Sequence, residues 1–163
     1  MDEKSLLTNN LFDTGGKTFL KYLVEIGGPE LHDYNTFTSI VNSLNPSCID
    51  EFREVIMPIL NVNTLIGHGF VKPYGYPGDF ALIDRIYSFY VNEDNGYRNW
   101  DVFFQNQPAA LAVRNRKKYF LAHCKKLLEK NKENIKVLIL GSGPATDVNE
   151  FLTDHENNNF TFD

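Results

Sequence analysis

The chain has 163 residues, 42% of them hydrophobic and 23% charged, and a formal net charge of −5. That length supports an ordinary globular core burying roughly two thirds of the unfolded surface. The acidic balance disfavours a duplex nucleic-acid partner, whose phosphates call for a concentrated basic face.

Cys48 and Cys124 are the two cysteines. They are far apart and outside any CxxC pair, so they imply reduced, buried thiols rather than a zinc site or a disulfide framework. His32, His123 and His155 have no carboxylate or thiol at a metal-ligand spacing, so no metal is expected. His68, between Gly67 and Gly69, is expected at the surface. No run of about 18 uncharged apolar residues occurs, so no membrane span is expected. The opening MDEKSLLTNN is polar and lacks the apolar stretch of a signal peptide, which points to the cytoplasm.

In chain order, Phe19, Leu20, Leu23 and Ile26 repeat at helical spacing before Gly27, Gly28 and Pro29 stop the pattern. A second 3–4 period runs over 31–44. Ser47 is expected to cap a third helix with Asp50 and Glu51 in its first turn, and Pro58 to kink or end it. The stretch 67–79 is rich in Gly, Pro and aromatics and reads as irregular. Asp79 is expected to cap a helix over 80–90. Residues 92–96 read as a turn before a short helix over 99–105. Pro108 opens the longest helix, to about 130, since a proline is tolerated at a first helical position.

The pattern changes at 135. Ile135 to Leu140 form a short apolar run stopped by Gly141, as a buried parallel strand would. A helix is expected over 145–152 after Pro144, and a second strand over 160–162. Expected domains are therefore a helical part, 1–132, and the start of an α/β unit, 135–163: a mainly α chain followed by β-strand, helix, β-strand.

The chemistry concentrates in this second part. In Lys136-Val-Leu-Ile-Leu-Gly-Ser-Gly-Pro-Ala-Thr-Asp147, Gly141 permits a sharp turn at the carboxyl end of the strand. Gly143 removes a side chain where a ligand must approach the backbone, and the N–H groups of the next helix face that crevice. Gly141, Ser142, Gly143 and Pro144 are thus the candidate cofactor-binding residues. A dinucleotide fingerprint needs a third glycine at position 146, which is Thr146.

Gly-Ser-Gly-Pro-Ala resembles the first motif of class I S-adenosylmethionine-dependent methyltransferases, although Ile139 stands where that family often carries an acidic residue. A second stretch agrees. Lys72-Pro-Tyr-Gly-Tyr-Pro-Gly-Asp-Phe80, then Gln107-Pro-Ala-Ala110 and Ala112-Val-Arg-Asn-Arg116, resembles a bacterial group with this pattern ahead of a class I domain. That group includes makers of 3-hydroxy fatty acid methyl esters. The resemblance covers about 70–150; residues 1–65 resemble nothing named.

The resemblance implies a Rossmann-like methyltransferase domain of whose sheet this sequence reaches only the first two strands. It also implies S-adenosylmethionine as cofactor and a small-molecule methyl acceptor such as a fatty-acid carboxylate. Asp163, at the end of the second strand, would take the ribose hydroxyls unless that acid lies further on. The chain is then expected to be a front part, inactive alone, whose open sheet edge invites a homodimer or a domain swap.

Three residues are candidates for the acceptor pocket. Tyr76 either lines it or packs in the core. Asp79 is a helix cap or a base. Arg114 belongs to a basic run with Arg116, Lys117 and Lys118 that is either a solvated face or a guanidinium site for a carboxylate or phosphate. The loop 67–79 and the helix start 108–116 are expected to cover the carboxyl end of the first strand. Rival readings are a non-enzymatic helical interaction or dimerisation domain, and a fragment of an NAD-dependent oxidoreductase.

Overall fold

The computed structural model describes residues 11–130, 134–155 and 159–163. The fold is mainly α, with two short parallel strands. It divides into two compact units, the first comprising Met1–Pro73 and Val91–Phe104, the second Tyr74–Tyr90 and Gln105–Asp163. The units cross the division read from the sequence at 132: residues 74–90 and the longest helix belong with the strands.

In the first unit, α1 (Thr14–Glu25) is capped by Asp13, whose carboxylate accepts from Gly16 N. It closes where Gly28 N reaches Leu23 O at 2.8 Å. Gly28 has φ +122, and a Cβ there would sit 2.4 Å from Trp100 N, so this close approach requires glycine. The second periodic stretch starts with a tight 3-10 turn, Leu31–Asp33, before α2 (Tyr34–Asn42). The cap of the third helical region is Asn45 rather than Ser47. Its side chain accepts from Ser47 N at 3.0 Å and leads through a 3-10 turn into α3 (Ile49–Ile56). Pro58 lies in the 3-10 turn that ends it, as expected.

Three expectations are corrected here, two of them in one helix. Residues 67–71 belong to α4 (Leu65–Val71). Glycine costs a helix only about 1 kcal/mol relative to alanine, and Thr64 caps this one, its Oγ1 accepting from Gly67 N at 2.8 Å and donating to Ile59 O at 2.6 Å. Gly67 is needed because a Cβ there would meet Asn61 O at 2.0 Å. The helix also carries His68 inward, so that side chain is buried rather than at the surface. The third correction is α6 (Asn95–Gln105), which begins where a turn was expected. Asp94 caps it through Gly96 N at 2.8 Å, and a capped Asn-Gly pair can open a helix as well as a turn.

The core of this unit gathers Phe12, Leu20, Leu23, Phe37, Ile40 and Trp100. Phe37 stands edge-on to both Trp100 and Phe103. Asp101, fully buried, accepts from Leu65 N at 2.7 Å and from Asn92 N at 3.0 Å, tying α6 to the start of α4 and to the preceding loop.

In the second unit, α5 (Phe80–Tyr87) and α7 (Pro108–Lys130) pack together, and α7 packs on α8 (Thr146–Asp154). Strand β1 (Ile135–Val137) pairs in parallel with β2 (Phe160–Phe162), Ile135 opposite Phe160 and Val137 opposite Phe162. The regular strand is shorter than the apolar run, yet the ladder continues through Ile139 N to Asp163 O at 2.9 Å. Phe151 of α8 is buried against Phe160 and Phe162, and Phe120 of α7 also meets Phe162. The other side of β1 is bare: Leu138 is 70% exposed and Leu140 85%. Among the described residues no helix is long and apolar enough to cross a membrane.

Asp101→Asn keeps the shape of the side chain but turns a donor toward one of the two N–H groups from which it accepts, that of Leu65 buried and that of Asn92 half-buried. It is expected to lower the stability of the chain by about 2 kcal/mol, read as a lower midpoint in urea unfolding.

Candidate functional site

The glycine turn follows directly from β1. Gly141 and Gly143 take φ +69 and +59, a region side-chain-bearing residues rarely adopt. Ala145 N returns to Ser142 O at 3.1 Å, closing the turn. Ala145 itself is left-handed at φ +52, so α8 starts at Thr146 instead of at 145 as expected. The start of α8 is tied to α5 by Thr146 Oγ1 donating to Asp84 Oδ1 at 2.7 Å. Nothing lies within 4 Å of a Cβ placed on Gly141 or Gly143, so both face open space.

That space is a cavity of about 560 Å³, inside the size range of small-molecule sites. Its floor is Ile139, Leu140, Gly141, Ser142, Gly143 and Pro144. Its aromatic walls are Tyr76, Phe80, Tyr87 and Phe120, and its charged groups are Arg116 and Asp147.

The candidate residues fall into three groups. Gly141, Ser142, Gly143, Pro144 and Tyr76 come together in this cavity, so the 74–79 part of the expected cover does meet the turn. Asp79 is fully buried and does not line the cavity; its Oδ1 accepts from Leu82 N at 2.9 Å, the helix-cap role. Arg114 does not line it either. Its guanidinium donates to Gln105 Oε1 at 2.6 Å and Gln105 O at 2.7 Å and lies 4.8 Å from the centre of the Phe89 ring. Gln105 in turn donates to Arg85 O and Tyr90 O. Arg114 is therefore a staple between the start of α7 and the end of α5. Asp163 is exposed, its backbone N–H on Val137 O, and it does not line the cavity.

Phe120, Phe80, Tyr87 and Asp147 are not site candidates in the sequence reading, and Arg116 enters it only as a member of the basic run around Arg114. A signal for two of them was present. Arg116 and Phe120 are four apart on one helix and share a face, whereas Arg114 is two positions from Arg116 and points away. Arg116 Nη2 donates to Tyr87 Oη at 3.0 Å. Lys117 pairs with Glu150 at 2.6 Å, joining α7 to α8. Among the described residues no group of His, Cys, Asp and Glu could hold a metal ion.

Cys124, buried on α7, has its thiol pushed above the ordinary value by burial first and by the Asp147 carboxylate second. The protonated thiol is thus favoured in the fold. That contribution is complete below the ordinary thiol range and is lost as pH rises through the raised folded value. Comparison with protein-family models, with curated proteins and with solved structures finds nothing that matches this chain.

Cys48, half-buried, and Cys124 differ enough for labelling to separate them. With iodoacetamide at pH 8, Cys48 is expected to be carbamidomethylated first and Cys124 only on unfolding, as peptide mass mapping would show. Equal rates would contradict the shielded thiol.

Proposed function

We propose that this chain is the N-terminal part of an S-adenosylmethionine-dependent methyltransferase acting on a small-molecule acceptor, a fatty-acid carboxylate being the kind that the resemblance implies. One observation carries the reading: a parallel strand runs into a turn with Gly141 and Gly143 at positive φ, and that turn is the floor of an aromatic-walled cavity. In open α/β sheets ligands bind at the carboxyl ends of the strands, where a glycine turn lets them approach the backbone. A Cβ on either glycine would project into the open space, so the residues present fit a ligand held against the main chain.

Gly141, Ser142, Gly143 and Pro144 would hold the methionine end of the cofactor. When bound, it supplies a methyl group already attached to a good leaving group. The chain's own contribution is then orientation and exclusion of water, the part that proximity plays in such transfers. Tyr76, Phe80, Tyr87 and Phe120, the aromatic walls of the cavity, would do that work. A nicotinamide dinucleotide is disfavoured by Thr146, whose hydroxyl is committed to Asp84 where a third glycine would be needed.

Titration calorimetry tests the reading. A protein carrying the whole methyltransferase domain is expected to bind S-adenosylmethionine with micromolar Kd, about −8 kcal/mol, and this chain at least about tenfold more weakly; Gly143→Val is expected to abolish binding. The variant adds backbone strain of about 1–2 kcal/mol, so its melting curve must show a folded protein. Equal affinity in a folded Gly143→Val protein, or no binding by the parent chain, rejects the reading. The latter result favours the helical interaction domain.

A further inference from the structure

The cavity is lined by one cation and one anion. Arg116 leaves the exposed side of α7, and Asp147 stands in the first turn of α8, its Oδ1 accepting from Val148 N at 3.1 Å. Neither forms an ion pair among the described residues. The basic neighbours of Arg116 in sequence are used elsewhere, Arg114 on Gln105 and Lys117 on Glu150. Arg116 is held by Tyr87 through one N–H, its guanidinium 5.9 Å from that ring's centre, which leaves further donors of the fork.

We infer that Arg116 and Asp147 together grip the zwitterionic amino-acid end of S-adenosylmethionine, Arg116 taking the α-carboxylate and Asp147 the α-ammonium. The inference rests on the cofactor reading above and adds to it the residues that recognise the amino acid. The assignment of signs is physical. A planar guanidinium offers paired N–H donors to a carboxylate. The N-terminus of α8 would otherwise attract an anion, but Asp147 already places a negative charge there. An anionic group in this cavity is therefore directed to Arg116 and a cationic one to Asp147. A ligand with neither charge would strip water from both side chains without replacing it.

The test compares S-adenosylmethionine with its decarboxylated analogue, which lacks only the α-carboxylate, by titration calorimetry on this chain. The parent protein is expected to prefer the carboxylated compound by about tenfold or more. In Arg116→Gln the affinity for S-adenosylmethionine drops to that for the analogue, while the analogue binds as before. Asp147→Asn weakens both, since both carry the ammonium. If Arg116→Gln leaves S-adenosylmethionine binding unchanged, or weakens both compounds by the same factor, the grip is wrong. It is equally wrong if Arg116→Gln spares the cofactor but abolishes binding of decanoate, which would place Arg116 on the acceptor. A parent chain that binds neither adenosyl compound overturns the cofactor reading itself, a result no Arg116 variant can imitate.

Discussion

The second unit depends on α7 remaining one unbroken helix. Over Pro108–Lys130 it spans about 34 Å, and each residue turns the side-chain direction by about 100°. Arg114, Arg116 and Lys117 fall within four positions of one another, but the helix sends them to different neighbours: the α5 end through Gln105, the cavity, and α8 through Glu150. A break anywhere between 114 and 124 would uncouple the cavity wall from its floor. Pro108 at the first helical position and the long run of good helix formers behind it oppose such a break.

The strand pair is a weaker element, and its packing explains why. Parallel strands are ordinarily covered on both faces. Here Phe151, Phe120, Phe160 and Phe162 fill one side of the pair, while Leu138 and Leu140 stay in water on the other. The ladder is accordingly short, and the chain leaves regular strand geometry just where the apolar residues lose their cover. The glycine turn beyond it is kept in place from outside the sheet: by the return of Ala145 N to Ser142 O, and by Thr146 on Asp84 of α5.

Much of this was legible in the sequence, for identifiable reasons. Asp79 reads as a cap because a carboxylate stands just before an apolar periodic run, and it is one. The strand–turn–helix order of 135–154 follows from an apolar run of strand length ended by glycine, and the two strands pair as parallel neighbours. The misreadings have equally local causes. Two glycines in 67–71 suggest irregular chain, but Thr64 and the close approach of Asn61 make them part of a helix. Asn-Gly at 95–96 suggests a turn until Asp94 is recognised as its cap. Arg114 and Arg116 look equivalent in a basic run. Only a partner outside the helix separates them, and Gln105 is nine residues from Arg114 with nothing in the spacing to mark it. Which compact unit residues 74–90 join is a matter of long-range packing, which periodicity does not encode.

The two charges of the cavity do not weigh equally. Asp147 has a structural use of its own, since a carboxylate in the first turn of a helix is stabilised by the helix dipole by some tenths of a kcal/mol, whatever the cavity holds. Its presence there would be unremarkable without a ligand. Arg116 has no such use of comparable strength. Its one hydrogen bond among the described residues goes to a tyrosine hydroxyl, a neutral acceptor, and its ring contact at 5.9 Å is at the outer limit of a cation–π interaction. Its neighbours Arg114 and Lys117, by contrast, bond to Gln105 and Glu150. A guanidinium left with spare donors at the rim of an aromatic cavity, in a chain of net negative charge, is the feature the fold alone does not explain, and the inference about an anionic ligand group rests chiefly on it.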